Sequence, residues 1–177
     1  MKVIRIISVL VIILIFVSCG SKKKKFSLNN YINYDTAVTY TDNDSDVIRI
    51  PFNEECGVKT VSVKINGVIC TDMIFDSGCS GSTISLKEAN YLASIGKLTQ
   101  EDYLGDTKAT IADGSIIDKM VFNIKSLVIG EKIECKNVEV TVAENEEAPL
   151  LLGNEVLDRV AQYTVDNKNK EVVFHLK

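Results

Sequence analysis

The sequence predicts a mainly-β domain with one or two short helices, and three observations support this fold class. Apolar and polar residues alternate with a period of two in several short segments, most clearly at 58–65. Turn-forming pairs such as Asn66-Gly67 and Asp113-Gly114 separate these segments. Segments that favour a helix are few and short. We therefore expect a strand-rich domain of about 130 residues at 47–177.

The expected elements follow one another closely along the chain. Asn66-Gly67 predicts a type I′ turn, because that turn needs a positive φ at both positions. Ser85 is placed to cap a helix over residues 86–95, which Gly96 ends. The other expected elements are helical turns at 99–104 and 154–160 and strands at 47–52, 58–65, 68–75, 82–86, 108–117 (two short pieces), 121–129, 136–143, 150–153 and 162–176 (a closing hairpin).

Length and composition limit the possible functions. The chain has 177 residues and a formal net charge of −4, which allows one domain or a domain with a tail. The acidic balance argues against a nucleic-acid partner. The one histidine, His175, excludes zinc sites built from several histidines, and a catalytic triad would depend on it. Carboxylates, hydroxyls, lysines or a thiol remain as catalytic groups, and no metal or cofactor is expected.

The first 18 residues are expected to be a targeting segment. Lys2 and Arg5 precede an apolar stretch that is too short to span a bilayer well. The sequence FVSCG at 16–20 resembles a bacterial lipobox. That resemblance implies cleavage before Cys19, which then carries a lipid and anchors an exported lipoprotein to a membrane of the cell envelope. The alternative is an uncleaved anchor with an incidental cysteine.

Residues 19–46 are expected to form a flexible tether, because they are rich in Lys, Asn, Asp, Thr and Ser and have little apolar periodicity. A short strand at 34–40 that adds to the domain is the alternative. Apart from Cys19, the chain has four cysteines, which can pair in three ways or stay reduced: Cys56, Cys70, Cys79 and Cys135.

The most informative segment is MIFDSGCSGSTIS at 73–85. An apolar strand runs directly into Asp76, Ser77 and Gly78, and another short strand follows. The tripeptide alone is weak evidence, because Asp, Ser and Gly also form ordinary turns. Its context in the chain decides how it is interpreted.

This segment resembles the active-site loop of the aspartic proteases. Residues 58–177 resemble the bacterial single-lobe, retropepsin-like members of that clan, so a retropepsin-like acid-protease barrel is expected. The shared parts come in the same order: an Asn-Gly hairpin, the acid loop, a helix, a Gly-containing hairpin at 111–116, the Gly130–Val138 stretch, the Leu151-Leu152-Gly153 element, a short helix and a terminal hairpin.

The resemblance implies an aspartic endopeptidase that cleaves peptide or protein substrates. Asp76 would pair with its copy in a second subunit, so that the two carboxylates share one proton and act as base and acid. Ser77 would bond across the dimer axis, and Gly78 would let the two loops approach closely. One acid loop in a domain of this size implies a homodimer.

The resemblance also implies supporting roles. Asp113 and Gly114 would form the tip of a flap that covers the substrate. Leu151, Leu152 and Gly153 would pack under the acid loop. Cys79 departs from the small residue usual at its position, and it is either a small apolar filler or a redox-sensitive thiol. The alternative function is a non-catalytic binding or assembly lipoprotein that uses the same fold.

Overall fold

The computed structural model describes residues 36–41, 46–110, 114–160 and 162–176. The expected targeting segment, the lipidation site Cys19 and the flap residue Asp113 lie outside the described residues. Within the part that is described, no helix is long and apolar enough to cross a lipid bilayer.

The described residues form a mainly-β fold, as predicted, with two short α-helices and one 3-10 turn. The strands are β1 (Val38–Tyr40), β2 (Val47–Glu55), β3 (Val58–Ile65), β4 (Ile69–Phe75), β5 (Ser82–Ser85), β6 (Tyr103–Thr110), β7 (Ile116–Ile129), β8 (Ile133–Ala143), β9 (Leu151–Leu152), β10 (Gln162–Asp166) and β11 (Glu171–His175). The helices are α1 (Leu86–Ser94) and α2 (Asn154–Leu157), and the 3-10 turn is Gln100–Asp102.

The strands build a barrel with an extension at each end. Their order is β10-β11-β2-β3-β4-β9-β5-β8-β7-β6, and β1 pairs with β8. A further pairing between β3 and β7 closes six of the strands, β3-β4-β9-β5-β8-β7, into a ring. Strands β10 and β6 are the two edges. The single-lobe barrel expected from the sequence is confirmed.

The core follows from the alternation in the strands. In β3, Val61, Val63 and Ile65 are buried and point to one face. Strand β2 buries every second residue from Ile48 to Phe52. Helix α1 covers one side of the core with Ala89 and Leu92.

The Asn66-Gly67 turn has the predicted geometry, with φ of 46° at Asn66 and 74° at Gly67. The Asn66 side chain also joins distant segments. Its amide nitrogen donates to the Lys97 carbonyl at 2.8 Å, and its amide oxygen accepts from the Ser126 N–H at 3.1 Å. The turn therefore fixes the end of α1 and the middle of β7 as well as reversing the chain.

Several predicted boundaries change in the structure. The predicted break between 117 and 121 is wrong, because β7 continues through it and pairs first with β6 and then with β8. The helical turn predicted at 99–104 ends at Asp102, and β6 begins at Tyr103. Residues 38–40 of the expected tether form β1, which is the alternative that the sequence left open.

Candidate active site

Asp76 stands directly after β4, and its backbone is fixed by β9. The Asp76 N–H donates to the Leu152 carbonyl at 3.1 Å, and the Ile74 N–H donates to the Leu150 carbonyl at 2.8 Å. These bonds belong to the parallel pairing in which Phe75 faces Leu152. The acid loop, residues 76–81, therefore begins at a defined point of the barrel.

The Asp76 carboxylate is oriented within its own loop. Its Oδ1 accepts a hydrogen bond from the Gly78 N–H at 2.9 Å, and its carbonyl accepts from the Cys79 N–H at 3.3 Å. Asp76 is half-buried, whereas Ser77 and Gly78 are exposed. A Cβ at Gly78 would lie 3.2 Å from Oδ1, so glycine leaves room for this close turn.

A second segment, residues 153–155, forms hydrogen bonds with the acid loop and with Ser82, which follows it. The Asn154 N–H donates to the Cys79 carbonyl and the Glu155 N–H donates to the Ser80 carbonyl, each at 2.9 Å. The Gly153 N–H donates to Ser82 Oγ at 3.2 Å, and Ser82 is buried. The free N–H groups at the start of α2 thus find their partners in the acid loop.

Gly153 is required by its contact with the loop. A Cβ at this position would lie 2.3 Å from the Gly81 carbonyl oxygen and 2.9 Å from the Cys79 carbonyl oxygen. Leu152 is fully buried in the core, and Leu151 faces both Ile74 and Thr83 across strand pairings. Leu152 and Gly153 thus contact the acid loop directly, whereas Leu151 pairs with the strands on either side of the loop.

Cys79 is half-buried in the same loop, and its thiol donates to the Gly81 carbonyl at 3.0 Å. All four cysteines of the described residues are free thiols. They differ in solvent exposure: Cys56 and Cys70 are exposed, and Cys135 is buried. Burial raises the pKa of the Cys135 thiol to about 11.

A groove opens beside Asp76 and Ser77. It lies between the β2–β3 turn, the end of β4 and strand β10. Its apolar part includes Val58 and Val165, which are 41% and 36% exposed. Phe75 and Tyr163 meet edge to face at a ring distance of 5.1 Å and form its floor. The residues that line it are Gly57, Val58, Lys59, Ile74, Phe75, Asp76, Ser77, Tyr163, Val165 and Asn167.

The expected flap belongs to a different part of the sheet from the acid loop. Gly114 has φ of 84° and lies between β6 and β7, at the edge of the sheet opposite β10. Among the described residues, the stretch of β7 from Ile116 to Lys119 pairs only with β6. Ile116 near the tip is 65% exposed. The contacts therefore bring Asp76–Gly78 together with Leu151–Gly153, whereas Gly114 belongs to a hairpin of its own.

Two further residues contribute to the site but were not predicted from the sequence. The Asn154 side-chain amide donates to the Ser77 carbonyl at 2.9 Å, and Ser82 accepts from Gly153 as described above. Asn154 lies one residue after the Leu151-Leu152-Gly153 element and Ser82 lies within the 73–85 segment, so inspection of the polar residues in and next to these motifs would have found them. The described residues contain no cluster of three metal-binding side chains.

Comparison with known proteins agrees with this geometry. A family model described as aspartyl protease matches residues 61–156, which is more than half of the chain. The chain belongs to the aspartyl protease family. The structure is similar to the crystal structure of a retropepsin-like aspartic protease from Rickettsia conorii, with a TM-score of 0.55 and 20% sequence identity. The match covers 81% of this chain and 96% of that one. No curated protein matches the sequence.

Proposed function

We propose that the protein is an aspartic endopeptidase in which Asp76 is the paired acid of a homodimer. The observation that carries this proposal is the placement of Asp76. Its backbone is fixed at the end of β4, its Oδ1 accepts from the Gly78 N–H at 2.9 Å, and it opens onto a groove. A carboxylate that is fixed in this way needs little reorganisation to bind a water molecule.

The reaction uses two Asp76 carboxylates that share one proton, because two adjacent negative charges repel. The ionised carboxylate removes a proton from a bound water, and the water oxygen attacks the peptide carbonyl carbon. The protonated carboxyl gives its proton to the carbonyl oxygen. The leaving nitrogen then takes the proton that the first carboxyl gained from water. The C–N bond breaks as a hydroxyl of the tetrahedral intermediate returns its proton to the other carboxylate, so that the pair again shares one proton.

The second subunit supplies the other carboxylate. Each chain has one Asp-Ser-Gly loop, and we propose that the groove beside it accepts the partner. Two features support this surface. Val58 and Val165 expose apolar area at its rim, and β10 is an edge strand of the sheet. Ser77 and Gly78 are exposed next to it, where the partner's loop would lie.

The catalytic proposal is tested with the full-length chain in detergent on a varied peptide library. We expect cleavage that is favoured by acid and blocked by a statine-type transition-state mimic. Asp76→Asn should remove the activity, and Asp72→Asn is the matched control because it changes an exposed aspartate of β4, the strand that leads into Asp76. A wild-type dimer that cleaves no peptide at acid or neutral pH would overturn the proposal in favour of a non-catalytic binding module.

The dimer surface is tested by placing a charged side chain on it. Val165→Lys should shift the protein to a monomer in analytical ultracentrifugation and remove cleavage, because a lysine at this site is desolvated on association. Val68→Lys is the matched control, since Val68 is 38% exposed on the β3–β4 turn. A dimer that is unaffected by Val165→Lys would exclude this surface.

We also propose that Cys19 carries a lipid that anchors the chain to a membrane of the cell envelope. Two protomers on one membrane have a raised effective concentration, which would support a weak dimer. Incorporation of labelled palmitate that is lost in Cys19→Ser tests the anchor. Equal labelling of both proteins would contradict it.

A further inference from the structure

Asn154 makes two different contacts with the acid loop. It is the first residue of α2, and its backbone N–H donates to the Cys79 carbonyl at 2.9 Å. Its side-chain Nδ2 reaches further back in the loop and donates to the Ser77 carbonyl, also at 2.9 Å. The side chain therefore contacts the residue immediately after Asp76.

The Ser77 carbonyl and the Gly78 N–H are the two ends of one peptide group. Because a peptide group is planar, the bond to its carbonyl also fixes the direction of its N–H. That N–H donates to Asp76 Oδ1 at 2.9 Å. A continuous hydrogen-bond chain thus runs from the Asn154 amide through the peptide to the Asp76 carboxylate, and each bond in such a chain polarises the next.

We propose that Asn154 is a positioning residue, which aims the Gly78 N–H at the Asp76 carboxylate through the Ser77–Gly78 peptide group. This inference rests on the proposed function of Asp76. The neighbouring contacts from Gly153 to Ser82 and from Glu155 to the loop are made by backbone N–H groups, which most substitutions leave in place. The Asn154 side chain is therefore the contact to this peptide that a single substitution removes.

Other titratable groups lie near the loop, and the test must separate their effects from that of Asn154. Lys59 and Tyr163 line the groove with Asp76, and Cys79 lies within the loop. From α2, Glu155 forms an ion pair with Arg159. Burial raises the pKa of Glu155, and the Arg159 charge opposes that increase. None of these side chains is altered by a substitution at Asn154.

The first test compares Asn154→Ala with the wild-type full-length protein. We expect kcat to fall about tenfold with KM within about twofold, because the loss of one hydrogen bond to the peptide misplaces the carboxylate and not the substrate. Asn90→Ala, an exposed asparagine on α1, is the matched control and should leave both constants unchanged.

The second test uses Asn154→Asp, which keeps the shape of the side chain. A protonated carboxyl donates to the Ser77 carbonyl, but an ionised one only accepts and repels it. The ratio of variant to wild-type kcat should therefore rise as pH falls through about 4, the ordinary carboxyl range. A merely structural role predicts a ratio that does not change with pH while both proteins stay folded.

A third measurement does not depend on activity. In NMR spectra of the full-length protein, the Gly78 amide proton should move upfield in Asn154→Ala, because its hydrogen bond weakens. An unchanged Gly78 resonance together with unchanged kcat would overturn the inference while leaving the proposed function intact. If the wild type does not cleave peptides, the proposed function fails, and the Gly78 resonance still decides whether Asn154 orients the peptide.

Discussion

The acid loop and the β6–β7 hairpin are both expected to contact substrate, but they are built in opposite ways. The acid loop donates a hydrogen bond from the Asp76 N–H to β9 and accepts hydrogen bonds from the start of α2. In the part of the chain that the structure describes, no third strand pairs with the tip of the β6–β7 hairpin, residues 116–119 of β7. Its cross-strand ion pair, Lys108 to Asp118, spans 3.9 Å with both side chains 77% exposed, and such a pair contributes little.

The difference shows where the fold concentrates its stabilising contacts. The carboxylate must be held to within a fraction of an ångström, so neighbouring elements converge on its loop. A flap must admit substrate and product, so a ribbon with few tertiary contacts suits it. Substitutions in the loop should therefore change global stability, whereas those in the hairpin should act locally.

The largest effect is expected from Gly153→Ala. The new Cβ would meet the Gly81 carbonyl oxygen at 2.3 Å, and backbone on both sides must move to relieve the clash. We expect a loss of about 3 kcal/mol in the free energy of unfolding, measured by urea denaturation. Gly81→Ala is the control, because a Cβ there meets nothing within 4 Å. Equal stability of the two variants would show that the loop is looser than the contacts indicate.

Ser82→Ala should have an intermediate effect. It removes the acceptor of the Gly153 N–H at a fully buried position, and an unpaired buried N–H costs about 2 kcal/mol. Chemical denaturation measures the loss. Ser62→Ala, at an exposed position on β3, should change the unfolding free energy by less than about 0.5 kcal/mol. An unchanged free energy of unfolding in Ser82→Ala would mean that the Gly153 N–H finds another acceptor.

A smaller effect is expected in the hairpin. Gly114 and Gly96 have φ of 84° and 68°, so alanine is strained by about 1 kcal/mol at either position. Gly96→Ala should lower the global unfolding free energy by about that amount, because Gly96 ends a helix on the core. Gly114→Ala should change it by less than about 0.5 kcal/mol and instead change kcat/KM. Equal global losses would show that the hairpin unfolds together with the barrel.

Thiol alkylation tests how firmly the acid loop is held, without a substitution that changes stability. A thiol whose pKa is raised to about 11 stays protonated at neutral pH and reacts slowly, so Cys135 should be modified only after unfolding. The exposed Cys56 and Cys70 should react first, and the half-buried Cys79 should follow more slowly. Mass spectrometry of timed samples measures the order. Rapid modification of Cys79 would reveal an acid loop that opens frequently.

The sequence predicts most accurately the features whose cause is local. The alternation in 58–65, the Asn66-Gly67 turn and the Ser85 cap, whose oxygen accepts from the Lys87 N–H at 3.1 Å, depend on a few adjacent residues. The bond from Asn154 to Ser77 joins residues 77 positions apart in the sequence, and the pairing of β1 with β8 joins residues that are still further apart. Neither contact produces a pattern in the sequence, because each depends on how helices and strands pack after they have formed.

Asn66 connects the fold to the chemical ageing of the protein. In an Asn-Gly pair the unhindered Gly nitrogen attacks the Asn side-chain carbonyl, so asparagine is readily deamidated there. In this turn the same amide is held between the Lys97 carbonyl and the Ser126 N–H, which restrains it from that attack. Deamidation would replace the donor with a carboxylate facing a carbonyl. Damage to this side chain should therefore accumulate in the unfolded chain and then hinder its refolding.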